Sequence, residues 1–337
     1  MTIQNIISNR LFSKEVFWQI VYEWEDIISK EMNLAVKNNF IRLVNMRYIR
    51  VVWRDILHRD DNYVPIPSGN SLAFVMSPGL FDGNVCGRRN VIPIIIDFWL
   101  SKENEFRDFE SRYVGNPGVL ITSKEAYEII RDRCPRLCVY HWPLSLPDHW
   151  LEDVATCPKK YDCAVVGRPN GVLNDWMMRY ASTHKDFTYV CNQRKPGVPC
   201  NYVTSDGSIL GNVFRDRDTY RHFLKSVRIG LYSTPSKDGS RLQYKGLAGR
   251  GYNQVTPRFL EYLAAGCHVL SRYDRNPDTD YYELDSISPN VDTYEDFEAR
   301  MDFARAHDID CENYKNYLSK HITSSRVEAL RDILAQI

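Results

Sequence analysis

The spacing of apolar side chains predicts a helical start followed by a long stretch of alternating strands and helices. Between residues 15 and 30, apolar residues recur at steps of three and four, which indicates one helix with a single apolar face. Residues 40–58 carry apolar side chains on nearly every side and fit no single period. We therefore expect the first sixty residues to be mainly helical, without a clear first strand of a parallel sheet.

From Leu72 the pattern changes to short apolar runs, each interrupted by Gly, Pro or polar residues. These runs cover residues 72–76, 91–96, 119–121 and 137–140. A helix follows the third run, and Thr122 and Glu125 have the spacing of a capping box, in which each side chain bonds an unpaired amide at the helix start. Short buried strands that alternate with helices are typical of a mainly parallel sheet with helices outside it.

The middle of the chain predicts a division into two α/β domains. Residues 141–160 lose the periodicity and contain three prolines, which indicates a linker. Beyond it, strands are expected at 162–166, 187–191, 229–232 and 268–271, and helices around Trp176, at 217–227, at 257–265 and over the last forty residues, with a capping-box-like start at 292–295. We predict two Rossmann-like domains, residues 1–150 and 151–337, that face a cleft and carry helical segments at both ends of the chain.

Composition and charge narrow the class of protein. The chain of 337 residues is 44% hydrophobic and 26% charged, which is ordinary for a soluble globular protein and excludes a disordered, collagen-like or disulfide-scaffold chain. The chain has 43 Lys and Arg residues and 43 Asp and Glu residues, so it has no net positive charge that would attract nucleic acid. The longest apolar run, residues 91–100, contains Pro93 and Asp97 and is too short to span a bilayer. Residues 1–10 lack the apolar core of a signal peptide, so we expect a cytoplasmic protein.

Cysteine and arginine patterns leave two smaller questions. The nine cysteines are scattered and odd in number, unlike a disulfide framework, and Cys134, Cys138 and His141 lack a fourth ligand, so no metal site is predicted. Arg47, Arg50 and Arg54 would share one face of a helix. That face is either a peripheral contact with the inner face of an anionic membrane, or a solvated face or partly buried strand.

The segment from residue 233 to residue 271 carries the strongest chemical signal. Residues 233–252 hold four glycines and four basic residues against one acid, which suits a phosphate-bearing ligand or, alternatively, a solvated surface loop. Thr256 and Pro257 are a helix cap and a first helical residue, and Gly266 can end that helix in the left-handed conformation. Glu261, one turn in, would accept hydrogen bonds from a ribose diol or form a surface pair with Arg258.

At this point the residues resemble a family. The run from Arg258 to Leu270 (RFLEYLAAGCHVL) resembles the donor-nucleotide motif of GT-B glycosyltransferases, in which a Glu on a short helix precedes Ala-x-Gly and a strand. The run YDCAVVGR, which ends at Arg168, is similar to the strand and Gly-Arg turn that open the C-terminal domain of those enzymes. Residues 292–301 and the pair Ser325 and Arg326 are similar to their closing helices. The resemblance extends from about residue 119 to residue 337.

The resemblance implies roles for individual residues. Glu261 would bind the ribose of a nucleotide-diphosphate sugar, with Gly167, Arg258 and Thr256 in the same donor site. The cations expected to neutralise the departing diphosphate without a metal are Arg168, Lys245 and Arg250. Related enzymes often have a second Glu eight residues before the first, where this chain has Asn253, and this departure leaves a retaining or an inverting mechanism open.

An inverting mechanism needs a base from the N-terminal half. The loop 77–84 follows a strand, where open α/β sheets bind ligands, so Asp82 is the first candidate and Asp97, also at a strand end, is the second. Asp82 between two glycine-containing turns is alternatively a turn former. His141 either lines the cleft or is a structural histidine.

The combined expectation is a hexosyltransferase-like enzyme. It would move a sugar from a nucleotide-diphosphate donor, its co-substrate, to a hydroxyl of a glycan or glycolipid acceptor in bacterial-type surface polysaccharide synthesis, with no other cofactor. The donor would lie on the C-terminal half and the acceptor on the N-terminal half. The alternatives are a nucleotide-sugar epimerase on the same fold and a non-catalytic protein that binds a phosphorylated ligand.

Overall fold

The computed structural model describes residues 1–11, 13–40, 52, 56, 66–79, 82–155, 157–167, 169–193, 201–211, 216–239 and 253–337. The chain divides into two compact units, Met1–Pro147 with Thr323–Ile337, and Asp148–Ile322. Each unit contains a six-stranded sheet whose strands are mainly parallel. The protein is therefore an α/β protein with two Rossmann-like units.

The first unit is built on a wholly parallel sheet. Its strands are β1 (Asn5–Ser8), β2 (Ala35–Asn38), β3 (Ser71–Val75), β4 (Val91–Ile95), β5 (Val119–Ile121) and β6 (Val139–His141). They lie side by side in the order β2-β1-β3-β4-β5-β6. The helices in this part of the chain are α1 (Val16–Met32), α2 (Glu103–Tyr113) and α3 (Lys124–Arg133).

The beginning of the chain corrects the sequence prediction. The helix expected at residues 15–30 is confirmed as α1, but β1 and β2 are strands that the sequence did not predict, and most of residues 41–65 lie outside the described residues. β1 is only four residues long and completely buried, so it is too short to show a period. β2 lies at the sheet edge, largely exposed, and therefore carries no apolar signal.

The start of α3 shows a second local difference. Ser123, not Thr122, is the N-cap, and its Oγ accepts a hydrogen bond from the backbone N–H of Ala126 at 3.1 Å. The hydroxyl of Thr122 donates instead to the backbone oxygen of Ile96 at 2.8 Å. Similarly, the helix expected to start at residues 292–295 is capped by Thr293.

The second unit repeats the parallel arrangement and adds a hairpin. Its strands are β7 (Tyr161–Ala164), β8 (Tyr189–Gln193), β9 (Asn201–Thr204), β10 (Ile209–Gly211), β11 (Val227–Ser233) and β12 (His268–Arg272). Their order is β10-β9-β8-β7-β11-β12, with β9 antiparallel to both β8 and β10. The sequence prediction did not include the β9–β10 hairpin, whose turn contains Gly207 with a φ of +86°.

The helices of the second unit alternate with its strands along the chain and continue beyond the last strand. They are α4 (Gly171–Thr183), α5 (Arg217–Lys225), α6 (Pro257–Ala264), α7 (Pro277–Tyr281), α8 (Leu284–Ile287), α9 (Tyr294–Ala306) and α10 (Cys311–Ser319). One core cluster joins α4 and α9 to the strands through Met177, Ile229 and Phe297. On α6, the ring of Tyr262 fills the place of a side chain at Gly230, where a Cβ would lie 2.4 Å from the ring.

The last helix, α11 (Thr323–Gln336), belongs to the first unit. Its buried face of Val327, Leu330 and Leu334 joins the core cluster of that unit. The indole N–H of Trp142 donates to the backbone oxygen of Arg326 at 3.0 Å. The sequence-based division after residue 150 placed this helix in the second domain, whereas its apolar face is buried in the first.

Two features are absent from the part of the chain that the structure describes. None of the helices there is long and apolar enough to cross a bilayer. Nor do the described His, Cys, Asp and Glu side chains form a group of three or more that could hold a metal ion.

Candidate functional site

The topology of the second sheet points to one crevice. β8 lies on one side of β7 and β11 on the other, so the chain reverses its direction of winding between β7 and β11. Ligands of open α/β sheets bind outside the carboxyl ends of the strands at such a reversal. A pocket lies there, lined by Val165, Asn170, Leu173, Asn174, Leu231, Ser233 and Arg258.

Two helices begin at this pocket. The side chain of Asn170 caps α4 by accepting a hydrogen bond from the N–H of Leu173 at 3.0 Å, and both residues line the pocket. α6 begins with Pro257, as predicted, and Arg258 in its first turn lines the same pocket. The predicted side-chain cap from Thr256 is not formed; its backbone N–H donates to the Tyr232 hydroxyl at 3.1 Å. Because helix N-termini carry partial positive charge, both helices favour an anion in this pocket.

Arg258 is the central charge of the site. Its guanidinium lies against Gly167, where a Cβ would sit 2.3 Å from the arginine Nη2. Gly167 also has a φ of +76°, so this position requires glycine on two counts. Among the described residues no acceptor hydrogen-bonds the Arg258 guanidinium, and the Glu261 carboxylate acts on it only through its charge.

The surroundings of Arg258 keep its charge. Burial acts to lower the pKa of Arg258, but the nearby side chains of Tyr220, Tyr262 and Tyr202 together with the Glu261 carboxylate outweigh it, so the pKa is raised above its ordinary value. The Tyr202 hydroxyl accepts a hydrogen bond from the backbone N–H of Gly167 at 2.9 Å. A half-buried guanidinium with five N–H donors and a rigid planar shape is well suited to phosphate oxygens.

A second network holds the rim of the pocket in place. The side-chain amide of Asn170 donates to the backbone oxygen of Lys237 at 3.2 Å and to the carboxylate of Asp238 at 3.1 Å. Arg272 bonds both oxygens of Asp238, at 2.5 Å and 3.0 Å. Burial alone would raise the pKa of Asp238, but the bonds from Arg272 and Asn170 hold it below its ordinary value. The turn after β11 is thereby fastened to the start of α4.

Glu261 has a different environment from the one predicted. It is buried, its Oε1 accepts from Arg217 Nη1 at 2.6 Å, and its Oε2 accepts from the Tyr220 hydroxyl at 2.9 Å. The guanidinium of Arg217 lies 4.8 Å from the ring centre of Trp150. The alternative of a surface pair with Arg258 is therefore wrong, and the ribose contact stays a prediction. Sequence reasoning missed Arg217 and Tyr220 because they lie about forty residues before Glu261.

The remaining predicted donor residues divide into two groups. Arg168, Lys245 and Arg250 lie outside the described residues. Asn253, in the position of the expected second Glu, links two neighbouring segments. Its Oδ1 accepts from the backbone N–H of Ser236 at 2.9 Å, and its backbone oxygen accepts from the Asn276 side chain at 3.1 Å.

In the first unit, Asp82 is surrounded by donors. It is 1% exposed. Its Oδ1 accepts from Arg112 at 2.5 Å, and its Oδ2 accepts from the Tyr113 hydroxyl at 2.5 Å and from the backbone N–H of Gly79 at 2.8 Å. The bond to Gly79 closes the loop on itself, which agrees with the turn-forming alternative.

The two other candidates in the first unit lie at strand ends. Asp97 is half-buried after β4, and its backbone N–H donates to the oxygen of Met76 at 2.8 Å. His141 ends β6, and burial, assisted by Lys124 and Arg326, lowers its pKa to about 4. His141 is therefore neutral near pH 7 and a weak base, which agrees with the structural alternative.

A polar chain that sequence reasoning missed crosses the carboxyl edge of the first sheet. Asn84 donates to Asn39 at 2.7 Å, and Asn39 donates to Asn9 at 3.0 Å. These residues follow β3, β2 and β1, which are neighbours in the sheet. Close by at the end of β1, the carboxylate of Glu25 accepts from Ser8 at 2.5 Å and from Arg10 at 3.0 Å. Single asparagines scattered along a chain carry no local signal of such a network.

Comparisons with known proteins give fold-level likeness only. A scan against protein-family models finds no match. A search of curated proteins also finds none. Among solved structures, the GtfA/B complex aligns with 86% of this chain and 60% of its own, at 8% identity and a TM-score of 0.47. The pneumococcal O-GlcNAc transferase GtfA, solved with UDP and GlcNAc, aligns with 87% of this chain and 60% of its own, at 7% identity and a TM-score of 0.45. This chain therefore spans about 60% of the length of these proteins.

Proposed function

We propose that this protein is a glycosyltransferase that takes a sugar from a nucleotide-diphosphate donor bound in the pocket of the second unit. The observation that carries the proposal is Arg258. It is a half-buried guanidinium without a hydrogen-bond acceptor among the described residues, and it lines a pocket where α4 and α6 both begin. A partly buried guanidinium that lines a pocket and has no protein acceptor is free to bind an anionic ligand, because its N–H donors are matched to carboxylate and phosphate oxygens.

The chemistry of sugar transfer needs such a site. When the bond between the sugar and the phosphate breaks, negative charge develops on the departing nucleoside diphosphate. Arg258 and the positive ends of α4 and α6 would stabilise this charge, since they are fixed in place before the reaction. The resemblance of residues 258–270 to the donor motif of GT-B glycosyltransferases supports the same assignment.

The other donor-site roles extend this proposal. Gly167 gives Arg258 room, and Thr256 precedes the helix on which Arg258 lies. Arg168, Lys245 and Arg250 would add positive charge to the diphosphate. Glu261, if it binds ribose, would have to exchange a bond from Arg217 or Tyr220 for one from the ligand.

For the acceptor, we propose a hydroxyl of a glycan or glycolipid in surface polysaccharide synthesis, bound by the first unit in the cytoplasm. The hydrogen bonds of Asp82 argue against a free general base at that residue. No residue is therefore assigned as the base. Because Asn253 stands in place of the second Glu, neither a retaining nor an inverting mechanism is proposed.

The test is nucleotide binding by the wild type and by an Arg258→Met variant. UDP, GDP, TDP and ADP, with CMP for comparison, are screened by thermal shift, because a ligand that binds only the folded state raises the melting temperature. We expect one diphosphate to bind, and we expect Arg258→Met to weaken it at least about tenfold by calorimetry, since a charge-assisted hydrogen bond is lost. The matched control is Arg275→Met, at an arginine whose side chain is 75% exposed.

The outcomes separate the alternatives. Equal diphosphate affinity in wild type and Arg258→Met would contradict the assignment of the pocket. A shift with CMP alone would retain a sugar transferase without a diphosphate site. Release of the diphosphate from a nucleotide sugar only when a glycan acceptor is added distinguishes the transferase from an epimerase and from a binding protein.

A further inference from the structure

The segment that follows β11 contains two buried hydroxyls without partners. Thr234 is 0% exposed, and its Oγ1 has no hydrogen-bond partner among the described residues. The Oγ of Ser236 is also buried, and it too lacks a partner there. A buried hydroxyl without a hydrogen bond is unfavourable for the folded state, and native proteins keep few of them. Two in three residues therefore need an explanation.

These hydroxyls belong to the segment that continues from the carboxyl end of β11, directly after a pocket residue. Ser233, which directly precedes Thr234, lines the pocket together with Arg258. The strand ends at Ser233, so residues 234–236 form the first part of the connection beyond the sheet edge. Arg258 and the two hydroxyls are all able to donate hydrogen bonds.

The backbone of this segment is fixed although its hydroxyls are unpaired. The backbone oxygen of Thr234 accepts from the backbone N–H of Lys237 at 3.2 Å, and the backbone N–H of Thr234 donates to the backbone oxygen of Arg272 at 3.4 Å. The N–H of Ser236 donates to the side chain of Asn253 at 2.9 Å. The backbone that carries the hydroxyls is thus fixed before any ligand arrives, which lowers the entropy lost on binding.

We propose that Thr234 and Ser236 are phosphate-binding residues, whose hydroxyls donate hydrogen bonds to the oxygens of the phosphate group farther from the nucleoside. This inference rests on the proposed function, because it takes Arg258 as the anchor of the same diphosphate. It explains why the two hydroxyls are unpaired, since a bound phosphate supplies the acceptors that the protein does not.

The proposal predicts opposite effects on stability and on binding, a combination that a merely structural hydroxyl would not show. Thr234→Val has nearly the same shape and removes only the hydroxyl. In the absence of ligand, it should raise the melting temperature by about 2 °C or more, because an unpaired buried polar group is removed. It should also weaken UDP and inorganic pyrophosphate at least about tenfold, because a hydrogen bond to a charged group is lost.

The experiment compares Thr234→Val, Ser236→Ala and Thr204→Val in the full chain by calorimetry and thermal unfolding. Thr204 is the matched control, a buried threonine of the same unit whose hydroxyl bonds Asp206 and the backbone oxygen of Ser208. Thr204→Val should lower the melting temperature and leave pyrophosphate affinity unchanged. Ser236→Ala should weaken binding in the same direction as Thr234→Val.

Each result decides between named possibilities. If the wild type binds UDP and Thr234→Val binds it equally well, the inference is wrong and the proposed function stands. A lower melting temperature for Thr234→Val without ligand would also overturn the inference, because the hydroxyl would then be bonded in the free protein. If the wild type binds neither UDP, any other nucleoside diphosphate nor pyrophosphate, the proposed function fails together with the inference.

Discussion

The two sheets end in carboxyl edges of the same topology but of opposite hydrogen-bonding character. In the first sheet β1 lies between β2 and β3, and in the second β7 lies between β8 and β11, so both reverse winding at the equivalent place. At the first edge, the buried side-chain atoms without partners in the described structure are acceptors, Glu25 Oε1 and Asn84 Oδ1. At the second edge they are the hydroxyls of Thr234 and Ser236, which can donate hydrogen bonds, and the half-buried Arg258 lines the pocket there.

This difference shows that fold alone does not determine what a sheet edge can bind. Open donors with a fixed positive charge favour anions, whereas open acceptors disfavour them. Most polar groups at the first edge are already paired, as in the Asn9–Asn39–Asn84 chain and in the bonds to Asp82. The polar groups of the first edge therefore largely satisfy one another, while the second edge retains donors for which a bound phosphate would supply acceptors.

The largest expected effect concerns Glu261 in the second unit. Glu261→Ala leaves Arg217 buried without its carboxylate, so we expect the free energy of unfolding to fall by about 3–5 kcal/mol in denaturant titrations. The double variant Arg217→Met with Glu261→Leu should recover most of this loss, because no unpaired charge remains. If Glu261→Ala instead keeps its stability and binds nucleotide more weakly, Glu261 contacts the ribose. Glu261 would then be a ligand-binding residue like Arg258.

The next effect concerns Glu25 at the first edge and is measured through pH. Burial raises the pKa of Glu25 from its ordinary 4.5 to about 7, although Ser8 and Arg10 oppose the shift. Because the folded protein holds this proton more tightly, the stabilising contribution is full below about pH 4.5 and is lost as the pH rises through about 7.

The measurement compares wild type with Glu25→Gln by urea unfolding from pH 4 to pH 8. The stability of the wild type relative to the variant should fall by about 3 kcal/mol over this range, since each unit of pKa shift corresponds to about 1.4 kcal/mol. A difference that stays constant with pH would show that Glu25 has the same proton affinity in the folded and unfolded chain.

The smallest of the three effects concerns Asp82. Asp82→Asn replaces one acceptor oxygen by an NH₂ group facing donors, so the free energy of unfolding should fall by about 2 kcal/mol. A double-mutant cycle with Arg112→Met measures the coupling between the two side chains. Unchanged stability together with lost sugar transfer would restore Asp82 as the catalytic base.

The parts of the fold that were predicted correctly are those with a strong local signal. α1 shows its amphipathic period over 17 residues, and α6 begins at Pro257 and is followed by Gly266 with a φ of +68°, both as expected. β1 was missed because four residues cannot display a period. The cap at Ser123 was assigned to its neighbour because both residues can cap a helix, and the choice depends on where the Ile96 oxygen lies.

Side-chain pairing was not predictable in the same way. Arg258 and the Gly-rich turn at Gly167 stand out in the chain, and the structure brings them together. The partners of Glu261 and Asp82 lie about thirty to forty residues away in sequence, with no local feature to link them. The hydroxyl of Thr234 is ordinary in the sequence and becomes notable only because nothing described in the structure bonds it.

Sequence alone was sufficient for the α/β class, for most strands and helices, and for the basic segment with its helix start, because these follow from periodicity and from backbone preferences of neighbouring residues. It was not sufficient for the return of α11 to the first unit, for the buried pair of Arg217 and Glu261, or for the unpaired donors at the second edge. These depend on which groups meet in space after folding, because the hydrogen bonds and burial of a polar group are set by neighbours distant in the chain.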